Sequence, residues 1–354
     1  MKKRFWKLFI AVTVISTFLL TGFISIAGAE VSTKTFKFRF QHWQPTSSGT
    51  YKLFIGPKGF PAMVERASGG RIKIETFPGG ALFTNTDVIR AVGNGSVDMS
   101  GATFAYGGAL GPHLAPMYGL PFALENMEDA EIVWRETGLL DYIREEWKKK
   151  HNLFIIGLQH ESPVGIFSKK PIRKLADFKG LKIRAVGVFG SFYTSLGASA
   201  IATPGSEIYM ALDRGVVDAV SFGSESAMID IGLAEVSKYV FVPWISGATI
   251  GDYVMNLDKW NSLPPDLQQI MVSCMEDWAN IVGTYYRYQS LLARETSVKK
   301  YKMQITTLPE ADLLLLKQKA VVFMNDYAKR SPEAAKIMKF YTDYLALKKG
   351  EVKK

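Results

Sequence analysis

The chain has 354 residues, 47% of them hydrophobic and 21% charged, which excludes intrinsic disorder and leaves room for two domains or one large α/β unit. Its net charge is +10, four of it from basic residues near the start, and the remaining +6 suits an anionic ligand without the clustered basic and aromatic residues of a nucleic-acid binder. A lone cysteine, Cys274, excludes an internal disulfide and reads as a small core residue.

In chain order, a basic head (Lys2, Lys3, Arg4, Lys7) precedes the apolar run Leu8 to Ile26 and Ala27-Gly28-Ala29. That order predicts a secretory signal peptide over 1–29, cleaved after Ala29, although the run is also near the ~20 residues of an uncleaved anchor. No cysteine stands near the junction for a lipid anchor, and no later stretch is long and apolar enough to span a membrane. A strand is predicted at Phe36 to Phe40. Next comes a helix with Phe60, Met63, Val64 and Ala67 on one face, stopped at Gly69-Gly70, then a strand over Arg71 to Phe77 with Ile72 and Ile74 alternating. Further strands are predicted at Val97 to Ala102, Leu153 to Leu158, Leu181 to Ala185 and Asp218 to Phe222. Their alternation with helical patterns implies α/β architecture with mainly parallel sheets.

Thr86 to Asp98 is echoed at a constant offset by Ser206 to Asp218. In both copies a hydroxyl residue is placed to cap a helix, apolar residues follow at helical spacing, a glycine can close the helix in the left-handed conformation, and a Val-Asp pair opens a strand. Two such units point to two related α/β domains, or to a common device arising twice. After residue 260 the pattern is helical: Asn261 to Pro265 opens one long helix, and Ser331-Pro332-Glu333 opens another reaching about Leu347 with Met338, Tyr341 and Leu345 inward. Lys348 to Lys354 reads as a frayed tail.

No H-E-x-x-H, G-x-S-x-G, P-loop or strand-borne G-x-G-x-x-G occurs, and the four histidines are too scattered for a metal cluster. Binding a small carboxylate calls for a rigidly held guanidinium, whose planar fork makes two charge-assisted hydrogen bonds. Arg184 ends a compact apolar strand, where ligands of open α/β sheets collect; the same position also suits a structural salt bridge. Aromatic walls are offered by three loops after strands: Gln41-His42-Trp43-Gln44, Gly101 to Tyr106 with Thr103, Phe104 and Tyr106, and Ser221-Phe222-Gly223-Ser224-Glu225. Core packing is the alternative for each aromatic.

Together, "DFKGLKIR" (177–184) and "EIYMALDRGVVDA" (207–219), with Gly69-Gly70-Arg71-Ile72-Lys73-Ile74, Phe77-Pro78-Gly79-Gly80 and Lys170-Pro171-Ile172, give a sequence that resembles the dicarboxylate-type (DctP) solute-binding proteins of tripartite ATP-independent periplasmic (TRAP) transporters. The resemblance covers nearly the whole mature chain. It implies a two-lobed periplasmic-binding-protein-like α/β fold, each lobe a mostly parallel sheet flanked by helices. Lobe I would comprise mainly 30–158 with a returning segment near 245–260, lobe II mainly 159–244, and C-terminal helices over 261–354 would brace both. It also implies that the arginine matching Arg184 holds the carboxylate, and that in the 2-oxo acid branch a glutamine matching Gln159 sits in the cleft. In that branch an acidic residue followed by Trp holds a cation beside the ligand; the matching positions here are Ser221 and Phe222, so the charged oxygens a sodium or calcium ion needs are missing. A loop carboxylate, Glu225, lies nearby and reads as solvated.

The function expected is periplasmic capture of a small organic acid by domain closure and delivery to the membrane permease subunits of a TRAP transporter, with no catalytic residues, metal, cofactor or nucleic acid. Aromatic walls and the missing acid favour a monocarboxylate with some apolar bulk. A secreted enzyme acting on a small carboxylate, or a ligand-presenting sensor subunit, are the alternatives.

Overall fold

The structure is a computed structural model that describes residues 34–101, 103–203 and 205–350. The expected leader and the last four residues lie outside the described residues, and from Phe36 onward the chain forms one contact unit. No described helix is long and apolar enough to cross a membrane.

Strand β1 (Phe36–Gln41) forms because Phe36, Phe38 and Phe40 alternate with Lys37 and Arg39, so one face is buried and the other solvated. It pairs in parallel with β2 (Ile72–Phe77) and β3 (Met99–Gly101). β4 (Leu153–His160) lies at the far edge, and β10 (Ile250–Asn256) inserts antiparallel between β3 and β4, giving the order β2-β1-β3-β10-β4. Every residue of β10 is buried, as expected of a strand covered on both faces.

The second sheet has the order β11-β9-β5-β8-β6-β7, from β5 (Val164–Ser168), β6 (Lys182–Arg184), β7 (Ser199–Ile201), β8 (Ala219–Ser221), β9 (Tyr239–Ser246) and β11 (Gln304–Thr306). Parallel pairing holds for β6 with β7 and β8 and for β11 with β9, whereas β5 runs antiparallel to both β8 and β9. Both sheets are therefore mixed, and in each the antiparallel strand lies beside a place where the chain changes sheet. Those places are 161–163, between β4 and β5, and 247–249, between β9 and β10. The two crossovers are stitched together: Glu161 N–H donates to the Thr249 carbonyl at 3.0 Å, and Thr249 Oγ1 donates to the Ser162 carbonyl at 2.7 Å.

The echoed segments fold alike. Helices Val88–Gly93 and Ile208–Asp213 end before Gly95 and Gly215, both left-handed (φ 80° and 73°), where a side chain would be strained. β3 and β8 follow, each the third strand counted from its sheet's β2 or β7 edge. The expected hydroxyl caps do not form as drawn: the caps are Asp87 and Glu207, neither with a side-chain capping bond, and Thr84 Oγ1 instead donates to the Asp87 carboxylate at 2.6 Å.

The helix Pro265–Lys299 lays Met271, Met275 and Trp278 on a core with Phe40, Phe54 and Tyr253 beneath the first sheet, then leads to β11 in the second. Thus the segment after 260, read as helical, also contributes a short strand. Helix Glu310–Ala328 packs near helix Gly187–Ser195 of the second sheet, while helix Pro332–Lys348 packs on the 3-10 segment Pro112–Tyr118 beside the first. Ser331 caps the last helix by accepting from Ala334 N–H, and Met338 and Tyr341 are buried.

Candidate ligand site

Two adjoining cavities, of 60 Å³ and 550 Å³, lie between residues of the two sheets and share Trp43, Gln44, Ala105, Tyr106, Val186 and Phe222 as walls. The inner one is also bounded by Arg184, Ser221, Tyr118, Glu161 and Tyr286.

Arg184 arrives there because Leu181 and Ile183 bury β6 between β7 and β8, leaving the strand's last side chain at the cavity. It is 1% exposed. Nε and Nη2 donate to the Thr203 carbonyl at 3.1 and 2.8 Å, and the guanidinium lies 5.3 Å from the Phe222 ring centroid, a cation–π contact. Burial lowers its pKa from the ordinary arginine value, partly offset by the hydroxyls of Tyr106 and Tyr118. Among the described residues no carboxylate pairs with it, so the cation is buried with neutral partners only. Such a charge is costly until an anion arrives.

Trp43 stacks on His42 with centroids 3.9 Å apart and meets Tyr253 edge-on. The indole lies so close to β3 that a Cβ on Gly101 would stand 2.6 Å from its ring, so only glycine fits there. His42 accepts from Gln44 N–H at Nδ1, and burial alone lowers its pKa to about 3, which keeps it neutral. Tyr106 projects from the 3-10 segment Thr103–Ala109 and lines both cavities. Ser221 bonds the Tyr193 hydroxyl at 2.9 Å.

Two of the residues expected at the site, Phe104 and Gln159, stand apart from these. Phe104 is a core residue that lines neither cavity; its ring stacks on Trp134 at 4.7 Å and meets Trp147 edge-on, and its N–H donates to Asp252 at 2.9 Å. Gln159 is fully buried behind the wall: its Oε1 accepts from Tyr253 Oη at 2.8 Å and Trp278 Nε1 at 2.9 Å, and its Nε2 donates to Glu161 at 2.5 Å. The side chain of Thr103 lies outside the described residues. Glu225, read as solvated, is instead 1% exposed and gripped by Arg294, whose Nε donates to its two oxygens at 2.7 and 2.9 Å.

Three lining residues had no signal as a set. Tyr118 sits in a 3-10 segment without periodicity, Tyr286 continues the apolar stripe of the long helix, and Glu161 looks like a loop acid after a strand. Burial pushes the Glu161 carboxyl up to about 8, aided by the like charge of Asp252 and opposed by hydrogen bonds from Gln159 and Tyr286. Tyr118 and Tyr286 are both raised by burial.

The end of β8 offers no charged oxygen to a ligand-bridging cation. At the end of β8 stand a hydroxyl already bonded to Tyr193 and an aromatic ring, and Glu225 is committed to Arg294. Among the described residues no cluster of three or more acidic, histidine or cysteine side chains is placed to hold a metal.

Residues 45–330 match the family described as bacterial extracellular solute-binding protein, family 7. The chain is 32% identical over 235 residues to the monocarboxylate 2-oxoacid-binding periplasmic protein of Nostoc sp., a match covering 64% of this chain and 63% of that protein, so it spans less than two thirds of that relative's length. It is 28% identical over 253 residues to the C4-dicarboxylate-binding periplasmic protein of Rhodobacter capsulatus, covering 67% of this chain and 73% of that one. Among solved structures, a TRAP periplasmic solute binding protein from Pseudoalteromonas atlantica with bound sodium and pyruvate superimposes with a TM-score of 0.80 at 21% identity, covering 90% of this chain and 96% of the other, which shows the two-lobed fold. The chain belongs to family 7 of the bacterial extracellular solute-binding proteins.

Proposed function

We propose that this protein captures a small monocarboxylate between its two sheets and passes it to the membrane permease subunits of a TRAP transporter. The observation that carries the reading is Arg184, a buried cation with no carboxylate partner among the described residues, at a cavity walled by both sheets. A guanidinium has five N–H donors; two serve the Thr203 carbonyl, and the others are left for the Tyr106 hydroxyl and the forked grip on an anion. Trp43 and Phe222 supply apolar walls, and the small inner cavity suits an acid of few atoms whose tail extends into the outer one. The Nostoc relative's monocarboxylate 2-oxo acids fit these features.

Because Arg184 comes from the second sheet and Trp43 and Tyr106 from the first, a ligand touching all three binds best when the lobes are closed, and only that difference in affinity favours closure. The leader-like first 29 residues and the family's periplasmic members support a site outside the cytoplasmic membrane.

A thermal-shift panel of mono- and dicarboxylates tests the reading. At least one monocarboxylate raises the melting temperature, and Arg184→Ala loses that shift. A full shift retained by Arg184→Ala removes Arg184 as the anchor, and product formation from any acid on the panel removes the receptor reading.

A further inference from the structure

Opposite Arg184, the inner cavity presents a second ionisable group that the capture of a carboxylate does not require. Glu161 stands in the first crossover between the sheets, its backbone tied to the second crossover through Thr249. Its side chain is buried, and the groups facing it are Gln159 from β4, which ends just before it, Asp252 and Tyr253 from β10, Tyr286 from the long helix and Tyr118 from the 3-10 segment. None of these carries a positive charge. A carboxylate in such a place is held off ionisation, and burial with the Asp252 charge does raise Glu161 to about 8.

Which oxygen carries the proton follows from a chain of donors. An indole N–H can only donate, so Trp278 fixes the Gln159 amide with its oxygen toward Trp278 and its NH2 toward Glu161. Glu161 Oε1 must then accept, and the proton belongs on Oε2, which also accepts a long hydrogen bond, 3.4 Å, from the Tyr286 hydroxyl. That hydroxyl in turn accepts from Thr50 Oγ1 at 3.1 Å, so its own hydrogen is directed at Glu161. Gln159 is thus a positioning residue: both it and Tyr286 donate to Glu161, and the Glu161 O–H is left to donate at the wall of the cavity.

Resting on the receptor reading above, we infer that Glu161 is the second recognition group of the site: as a neutral acid it donates to an oxygen of the ligand other than those held by Arg184, selecting a singly charged acid with a hydrogen-bond acceptor beside its carboxylate. The charges agree. Arg184 with a neutral Glu161 gives the cavity one net positive charge, which a monoanion cancels. A dianion leaves one charge buried and unpaired, and a zwitterion requires Glu161 to lose its proton first.

The ligand binds the protonated form of Glu161, so affinity is level below the free-site value and falls as pH rises through about 8, approaching tenfold per unit. Calorimetry of the wild-type protein with pyruvate, propionate and succinate, from pH 6 to 9.5 and in two buffers of different ionisation enthalpy, reads both affinity and protons. Pyruvate binds at least tenfold tighter than propionate or succinate, and above pH 8 its binding takes up as much as one proton. Glu161→Gln keeps an amide donor and a neutral side chain; it holds pyruvate within about fivefold of wild type at pH 7 and loses both the alkaline decline and the proton uptake. Proton release on binding, a flat pH profile in the wild type, or an alkaline decline unchanged in Glu161→Gln overturns the assignment while leaving Arg184 as the anchor. If no acid on the panel binds the wild type at any pH, the receptor reading falls and this one with it. The wild-type proton count decides the matter even if Glu161→Gln does not fold.

Discussion

In the first sheet the carboxylate of Asp98 accepts the Arg39 N–H at 2.7 Å, and in the second that of Asp218 accepts the Lys182 N–H at 3.2 Å. These are equivalent positions of the echoed unit, each fastening its strand to the neighbour that precedes it in the chain. Even the turns agree, with Val97 N–H bonded to the Ala91 carbonyl and Val217 N–H to that of Ala211. Past the strands the likeness ends. β3 runs into the 3-10 segment that carries Tyr106, whereas β8 runs through Ser221 and Phe222 to a helix capped by Ser224 and anchored by the Glu225–Arg294 pair. The first sheet's side of the cavity offers hydroxyls and aromatic rings; the second offers the fixed charge. A shared scaffold sets where side chains emerge, and the residues just beyond each strand decide what they do there.

Replacing the fork with a point charge tests the second sheet's share most severely. Arg184→Lys loses the bidentate grip and weakens acid binding by about 2–3 kcal/mol, roughly 30- to 150-fold by calorimetry, while Tyr106→Phe on the opposite wall loses only about 1 kcal/mol. Equal losses would erase the division of labour. Arg294→Ala leaves Glu225 buried without its partner, and chemical denaturation should register about 2–3 kcal/mol, discounted from a fully buried pair because Arg294 is partly exposed. Asp98→Asn and Asp218→Asn each remove a charged acceptor from a backbone N–H and cost about 1–2 kcal/mol, with Asp98 the larger because it is more buried and more closely bonded. Opposite order, or no cost at Asp218, would mean that the two copies are not doing the same work.

Strands with a clear alternation, such as Phe36 to Phe40 and Ile72 to Ile74, were legible because one face meets water. β10 was not: it is buried on both faces and carries Asp252 in its middle, which breaks the apolar run that marks a central strand. Strand direction was also hidden, since the antiparallel β5 and β10 depend on where the chain changes sheet and not on local pattern. Arg184 could be read from its place at a strand end. Glu161 and Glu225 could not, because an acid in a loop is ordinarily solvated, and what buries these two is supplied by residues far along the chain, Tyr286 and Arg294. The same blindness put Phe104 in the site and left Tyr118 out.

The paired crossovers also bear on motion. Two three-residue straps bonded to each other resist shear and twist more than bending, so a swing of one sheet against the other would pivot near Glu161 and Thr249, with the long helix that leads to β11 as the third connection to follow it. A group at the pivot barely moves as the jaws part, whereas Arg184, out on the second sheet, travels with its jaw. The acid would meet an incoming molecule in nearly the same place whether the cleft stands wide or shut, and the guanidinium would reach it only as the arc closes.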